Sequence, residues 1–600
     1  MKLVNVEEMR RIEQLTDARG QSYAAMMEQA GSSVAMLAMG LQMAHEGNRV
    51  LILVGPGNNG GDGLVAAHYL RDMECDVTLY IWKRDIKGDA NFSRVKRRRR
   101  GMAILWADND PDFSKLRAEL QQTGLVIDAL LGTGATRPLQ GQLAGLLAVV
   151  REELDARNGP QPGAQAAMSA ATPLPPRFPL IEAFGAPAIP PAAWSPSGEG
   201  PDDDLRIGGG WDDEDDDWMD DEDEPGGLLP PPWPAVPVMA VDCPSGLNCD
   251  TGALDPAALP ATMTVTFAYP KWGHLQYPGA GACGLLSVAD IGVPTDLDES
   301  LQVELVERAA AAALLPARPR DAHKGTFGKA LVVGGSCLYT GAPVLSGSAA
   351  GRAGAGLVTV AVPQELHPAL AAAFLDLTWL PLRSEAGIIS PESAPQVLQK
   401  VQSYDALLVG PGLTTDRNAQ AFLSVLFGDE GLDPATWRGR VIVDADALNI
   451  LALSPGWPAL LPPLSILTPH PGEMSRLTGA SVSEINASRI ATARRYAAEW
   501  GHVVLLKGPH TVIAHPEGRT SVIPFAEPSL AKAGSGDVLA GVILALAGQG
   551  LGPCEAATAG AYVHALAGVL AGQVLGAASV TGRDLVQSIS SALLDLQRTR

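Results

Sequence analysis

The feature that most constrains this chain is a unit that recurs along it. A short apolar run is stopped by a turn rich in Gly, Asp or Pro, and a helical segment follows. Arg49–Val54 is the first clear example. It ends in Gly55-Pro56-Gly57-Asn58-Asn59-Gly60-Gly61-Asp62-Gly63, and a helical stretch runs from Leu64 to Met73. Val77–Trp82, Gly124–Leu131, Val238–Asp242, Met263–Ala268 and Leu285–Asp290 repeat the pattern. So do Ala330–Val333, Leu357–Val362, Ala406–Val409, Val441–Asp444, Leu464–Leu467 and Val503–Leu506. Such runs read as buried strands. Buried strands alternating with helices pair in parallel, each helix carrying the chain back across the sheet. The pattern predicts α/β architecture with mainly parallel sheets. At 600 residues the chain exceeds what one core supports, so two domains are expected.

We expect an N-terminal domain over 1–300, an Ala-rich connector over 301–320 and a C-terminal domain over 321–600. Between Leu154 and Pro237 the character changes. Seventeen prolines, an Ala/Pro-rich half and an acidic half leave no periodic apolar face. A disordered insertion at about 155–236 is predicted, lying between two strands of one sheet. It also explains the charge. The net charge is −22, but Glu199 to Glu224 holds 15 acidic residues and one Arg, so the rest carries only −8. This balance argues against nucleic-acid binding, and the basic run Arg94–Arg100 reads as one solvated helix. The segment Met1–Asp17 is charged and has no apolar stretch of the export-signal kind. The longest apolar stretch, Thr558–Val580, contains His564 and Gln573 and fits a buried helix better than a membrane span. The six cysteines form no CxxC pair and read as reduced thiols of a cytoplasmic protein.

The strand, Gly-rich turn and helix at Arg49–Met73 begin a Rossmann-like unit. Gly55, Gly57 and Gly60 satisfy GxGxxG, a weak match by itself. The next strand ends in Lys83-Arg84 rather than in the acidic residue that holds a ribose diol, which argues against ordinary hydride-transfer dinucleotide binding. Asn58, Asn59, Gly60, Gly61 and Asp62 are the more specific feature. They set two amides and a carboxylate at a strand end. Asp128 lies on a second such strand, which runs into Gly132-Thr133-Gly134, and Asp242 with Ser245 follows a third. A lone Asp there is most often a cap. Carboxylate, amide and hydroxyl together suit a hard cation.

In the second half, Ala531-Lys532-Ala533-Gly534-Ser535-Gly536-Asp537 leads into the apolar run Val538–Ile543. The first N–H groups of that helix make an anion site, and glycine lets a phosphate come close. A carboxylate beside a phosphate repels it, so Asp537 fits a base that takes a proton from a hydroxyl attacking a phosphoryl group. His470 and Lys507 also stand at strand ends. No GxxxxGK[ST] occurs, which excludes a P-loop enzyme.

These residues carry a family resemblance. The second half resembles the ribokinase-type fold, in which Gly-x-Gly-Asp ends in a catalytic Asp. More narrowly, His323-Lys324-Gly325-Thr326-Phe327-Gly328, Gly354–Val360, Thr468–Glu473, Lys507–Thr511 and Ala533–Asp537 resemble the ADP-dependent NAD(P)H-hydrate dehydratases. The first half resembles the NAD(P)H-hydrate epimerases, through Gly55–Gly63, Asp128–Gly134 and Val241–Gly252. Order and spacing match the bacterial bifunctional repair enzymes, over most of 1–150 and 236–600; the insertion departs from that pattern. The implied fold is a Rossmann-like three-layer sandwich followed by a ribokinase-like α/β domain.

The resemblance implies a set of site residues. Asn58 to Asp62, the turn Gly132-Thr133-Gly134-Ala135-Thr136-Arg137-Pro138 and Asp242 would line the hydrated-nucleotide site. Asn59, Asp128 and Ser245 would ligate K+, and Asp242 would give acid/base help at the hydroxyl-bearing carbon. In the second half Ala342, Gly412 and His470 would contact the hydrate. Lys507, Gly508, Pro509, His510, Thr511 and Gly536 would hold ADP, Asp537 would be the base, and Glu473 would help place Mg2+ through water. Partners would be NADH and NADPH hydrates and ADP, without nucleic acid or membrane, and a homo-oligomer is allowed. The runner-up is a kinase of the same fold acting on a small alcohol such as a hydroxymethyl-pyrimidine or thiazole. It would leave the first half as a binding domain.

Overall fold

The computed structural model describes residues 1–43, 48–97, 102–134, 137–159, 181–184, 234–428 and 430–599. Its first sheet contains β1 (Arg49–Val54), β2 (Asp76–Ile81), β3 (Met102–Trp106), β4 (Leu125–Ala129), β5 (Ile181–Phe184), β6 (Val238–Val241), β7 (Met263–Phe267) and β8 (Leu285–Ala289). They run in the order β3-β2-β1-β4-β6-β7-β8-β5, and every pairing is parallel. Helices Tyr23–Met43 and Asn58–Asp72 cover one face, and Ser114–Leu120 and Gly141–Asn158 pack together beneath the other. Central strands such as Leu125–Ala129 are buried throughout, as their uniform apolar runs demand.

The second sheet takes β9 (Val303–Leu305), β10 (Lys329–Val333), β11 (Leu357–Pro363) and β12 (Thr378–Leu382). A small hairpin, β13 (Ser384–Glu385) and β14 (Ile388–Ile389), stands apart from it. Then come β15 (Ala406–Val409), β16 (Arg440–Val443), β17 (Ile466–Leu467), β18 (Val503–Leu506), β19 (Val512–Ala514) and β20 (Thr520–Val522). The order is β12-β11-β10-β15-β16-β17-β18-β19-β20-β9. Pairing is parallel from β12 to β18 and antiparallel on both sides of β19. Helix Ser535–Gly548 is buried on nearly every side, against helices Ala342–Arg352 and Pro553–Leu575. Pro553–Leu575 is long and apolar enough to cross a membrane, and most of it is packed inside this core.

Residues 301–320, expected as a connector, instead supply β9 to the second sheet and a helix, Arg308–Leu314. Within the expected disordered insertion, 181–184 form the edge strand β5 against β8, a departure from that expectation. The remainder, 160–180 and 185–233, lies outside the described residues. The flanks of the insertion meet. Asn158 Nδ2 donates to Val236 O at 3.2 Å, and Val236 N donates to Asn158 Oδ1 at 2.8 Å. A deletion of 160–232 therefore closes a loop whose ends already touch, and among the described residues it removes the edge strand β5. We expect it to leave both activities of the chain within about twofold; loss of soluble protein would show that β5 protects the edge of β8.

The two halves are joined by more than the chain between them. Leu3 N donates to Val303 O at 3.0 Å, while Val4 N donates to Pro270 O at 3.1 Å. Leu3 is fully buried in the second sheet's core, as is Leu275 from the first half.

Candidate functional site

Each sheet has a central point from which the chain leaves in opposite directions. In the first sheet the chain leaves β1 towards β2 and β3, and leaves β4 towards β6 to β8 on the other side. In the second it does the same at β10 and β15. Open α/β sheets bind ligands in the crevice outside the strand ends at such points. In the first half Asn59 and Asp128 stand at that point, with Asp242 at the end of β6 beside it; in the second half Ala342 and Gly412 follow β10 and β15, whereas His470 and Lys507 stand at the ends of β17 and β18.

In the first half, Gly55 stands where a Cβ would lie 1.7 Å from Leu130 O, so only glycine lets the β1 and β4 turns meet. Arg84 donates to Gly55 O at 2.9 Å and Gly57 O at 2.8 Å, pinning the glycine turn. The helix then opens with Asn58, Asn59, Gly60, Gly61 and Asp62, all but Asn58 buried. Asn59 Nδ2 donates to Leu131 O at 2.8 Å, tying that helix start to the turn at Gly132, Thr133 and Gly134. Arg137 and Pro138 lie exposed beyond it, while Ala135 and Thr136 lie outside the described residues.

Asp128 is fully buried. Its Oδ1 accepts from Ser245 Oγ at 2.7 Å and Leu130 N at 3.2 Å, and its Oδ2 accepts from Ser245 N at 2.8 Å. Burial pushes its carboxyl above the usual range and these hydrogen bonds only partly offset that; no cationic side chain contributes. A buried carboxylate without a cationic neighbour, beside Asn59 and Ser245, fits a monovalent cation in its donor chemistry.

Asp242 has a left-handed backbone, φ +62°. Its Oδ1 accepts from Lys271 Nζ at 2.6 Å and Thr266 Oγ1 at 3.0 Å. Lys271 itself is only 1% exposed. Burial alone would raise the Asp242 pKa, but the Lys271 ammonium outweighs it and holds the carboxyl below its ordinary value. Asp62 is pushed the other way, well above the usual range, by burial first and then by Asp242 and Glu13. Two carboxyls of opposite protonation preference thus face one crevice, an acid and a base in waiting. His274, buried nearby, is driven to about 3 by burial and the Lys271 charge, so it is a neutral ring. Lys271, Glu13 and His274 were not singled out from the sequence, and Arg84 was read only as the basic end of a strand that lacks a ribose-holding acid. A lone Lys after a strand carries no signal there, because its partner lies 29 residues away.

In the second half a cavity of about 670 Å³ is lined by Asp444, His470, Lys507, Gly508, Pro509, Thr511, Gly536 and Asp537, among others. Helix Ser535–Gly548 points its N-terminus into it. Gly534 caps that helix with φ +89° and no side-chain cap, which leaves first-turn N–H groups for a ligand. Lys507 Nζ donates to Asp444 Oδ1 at 2.7 Å and lies 3.5 Å from Glu473 Oε2. Asp444 was read only as the end of a strand, yet it is the buried anchor of this lysine. Burial pushes the Asp537 carboxyl up to about 7; the charge on Asp444 adds to this and Lys507 opposes it. Glu473 is raised to about 7 by burial, again against Lys507.

His470 N donates to Glu473 Oε2 at 2.8 Å, and His470 Nδ1 accepts from Gly472 N at 3.0 Å, a reciprocal cap that fixes the imidazole at the cavity. Burial and Lys507 lower its pKa, so the ring is neutral. Ala342 and Gly412 adjoin each other beside Tyr339, though neither lines the cavity. His510 is also turned away. Its ring is buried, its Nδ1 lies 3.4 Å from Ile523 O, and only the turn that carries it borders the cavity. Among the described residues no group of three or more His, Cys, Asp or Glu side chains is arranged to hold a metal ion. The carboxylates near Glu473 fit a metal that arrives already bound to phosphates rather than a protein cage.

Residues 330–591 match the NAD(P)H-hydrate dehydratase family. Residues 23–160 and 232–273 match the family described as YjeF-related protein N-terminus. A bifunctional NAD(P)H-hydrate repair enzyme of Moorella thermoacetica is 33% identical over 604 residues, covering 100% of this chain and 97% of its own length. Another, from Thermofilum pendens, is 33% identical over 608 residues with the same coverage. A crystal structure of the ADP/ATP-dependent NAD(P)H-hydrate dehydratase of Bacillus subtilis, co-crystallised with ATP and Mg2+, is 29% identical. It covers 50% of this chain and 100% of its own, with a TM-score of 0.41.

Proposed function

This chain belongs to the family of bifunctional NAD(P)H-hydrate repair enzymes, and on that premise we propose how its two sites divide the work. The first half interconverts the R and S hydrates of NADH and NADPH. The second half dehydrates the S form with ADP as phosphoryl donor, giving NAD(P)H, AMP and phosphate. The observation that carries this reading is Asp537, a carboxyl raised to about 7 in the first turn of an uncapped helix beside Lys507. A phosphate-binding helix start needs no such group; a phosphoryl transfer to a hydroxyl does.

The chemistry follows from the leaving group. Hydroxide leaves a ring carbon poorly. Asp537 takes the proton of that hydroxyl, whose oxygen attacks the β-phosphorus of ADP and releases AMP. Lys507 and the N–H groups at Gly536 and Asp537 stabilise the charge on the transferring group. The ring nitrogen then expels phosphate, and loss of a proton from the adjacent carbon restores the double bond. His470, held by Glu473, is the neutral contact for the hydrate, with Ala342 and Gly412 on the neighbouring turn. Mg2+ would reach the site on the nucleotide near Glu473 and neutralise phosphate charge.

In the first half, Asp242 is the acid/base group at the hydroxyl-bearing carbon, kept ionised by Lys271. Asn58 to Asp62 and the turn at Gly132, Thr133 and Gly134 line the hydrate site, with Arg137 and Pro138 beyond them. K+ would sit with Asn59, Asp128 and Ser245 and offset the buried Asp128 charge. The setting is cytoplasmic, where the reduced cofactors are made and used. A small-alcohol kinase would leave the Asp242–Lys271 pair without a role.

The test is recovery of reduced-nicotinamide absorbance from mixed epimers with ADP, Mg2+ and K+. The S share should recover first and the R share at a rate set by enzyme concentration. An R share that returns only at its spontaneous rate would sink the epimerase assignment, and no recovery would sink both. The same assay gives a pH profile. Asp537 acts as a base, so its ionised form is the active one; with its pKa at about 7, kcat/KM should rise with pH and level off above about 7. A profile flat from about pH 5 to 9 would remove Asp537 as the base.

A further inference from the structure

The cavity of the second half has one wall that the second half does not supply. Tyr277, from the first half, lines it together with Lys507, Gly508, Pro509 and Thr511. Its ring stacks on the His510 ring, with centroids 6.2 Å apart and planes inclined by 19°. His510 is buried with a left-handed backbone, φ +49°, inside the turn that borders the cavity. Tyr277 is therefore packed against the back of that turn and open to the cavity at once.

The segment that carries Tyr277 is fixed from both sides. Two residues earlier, Leu275 is buried in the core of the second sheet. Gln276 Nε2 donates to Asp250 O at 2.8 Å, and Trp272 Nε1 donates to Leu3 O at 3.3 Å. Gly279 N donates to Gly252 O at 2.8 Å, just beyond the tyrosine. An aromatic ring held this firmly is a preformed wall, with little entropy left to lose when a ligand arrives. Further lining is apolar, with Ile523, Phe525, Pro528 and Leu530. The charged end, Lys507 and the helix start, takes phosphate; the aromatic and apolar part suits a flat base.

We propose that Tyr277 completes the adenine-nucleotide site of the second half, so that ADP bound for dehydration rests partly on the first half. Tyr277 is thus a positioning residue for the nucleotide, acting by its ring on the base and on the His510 turn. The inference rests on the nucleotide reading given above.

The test is calorimetric binding of Mg·ADP to the full chain, with steady-state dehydration alongside. Tyr277→Ala should weaken ADP binding and raise the KM for ADP about three- to tenfold, the range expected for one lost aromatic wall. The kcat at saturating ADP and the epimerisation rate should stay within about twofold, because neither Asp537 nor Asp242 is touched. Tyr277→Phe keeps the ring and should bind as the parent does. Tyr277→Leu keeps apolar volume without the ring and should behave like the Ala variant even if that one is poorly folded. A parent that does not bind ADP overturns the nucleotide reading and this inference with it. A parent that binds ADP, with Tyr277→Leu binding equally well, overturns this inference alone.

Discussion

Replacing Asp537 by Asn is expected to slow ADP-dependent dehydration by about 10²–10⁴-fold while the R and S hydrates continue to interconvert. The amide is nearly isosteric, so the cavity keeps its shape, but it accepts no proton from the attacking hydroxyl. The loss should fall on kcat. The KM for ADP should hold or drop, because a negative charge beside the phosphate site has gone. Stability should not suffer. The folded Asp537 carboxyl, raised to about 7, binds its proton more tightly than the unfolded chain does. Stability therefore falls as pH rises from the ordinary carboxylate range to about 7, and a neutral Asn escapes that loss. At pH 8 the variant should melt at or above the parent's temperature. Dehydration within a few-fold of the parent would remove the base from Asp537, and loss of epimerisation as well would point to a damaged fold.

Lys271→Met should abolish epimerisation and destabilise the first half by about 3–5 kcal/mol, the usual consequence of stranding one charge of a buried pair. Lys271 is nearly inaccessible and donates to both Asp242 Oδ1 at 2.6 Å and Thr266 Oγ1 at 2.7 Å. Without the ammonium, burial takes over at Asp242 and its carboxyl turns neutral, unfit as a base. The double variant Lys271→Met, Asp242→Asn separates the two effects. It should recover most of the denaturation midpoint, because no charge is left stranded, and still fail to epimerise. Dehydration of pure S hydrate should survive in both variants. Epimerisation by the single variant at the parent's rate would reduce the pair to a structural tie.

Much of this architecture was legible because a buried parallel strand advertises itself: Val50–Val54 and Val503–Leu506 are apolar from end to end and fall in β1 and β18. Met102–Trp106, apolar throughout, was passed over behind the basic run that precedes it, and the other strands that escaped are short or interrupted. Thr378–Leu382 carries Pro381, tolerated because β12 is an edge strand. Val303–Leu305, Val512–Ala514 and Thr520–Val522 are three residues each and owe their pairing to neighbours. The sites divide the same way. Asp537 stood out because glycine, a carboxylate and an apolar helix follow one another directly. Lys271, Asp444 and Tyr277 did not, because each draws its role from a residue far along the chain, Asp242, Lys507 and His510 respectively.

The hydrogen bond between Leu3 and Val303 has a consequence for synthesis on the ribosome. The amide of the third residue waits for a carbonyl made 300 residues later. At roughly 5–20 residues per second, that delay is on the order of 15–60 s. During it the first sheet can form from its own strands, since none of β1 to β8 pairs with the second sheet. The leading segment stays without its partner strand until β9 emerges, so it works as a clasp that shuts only after the first half has been translated.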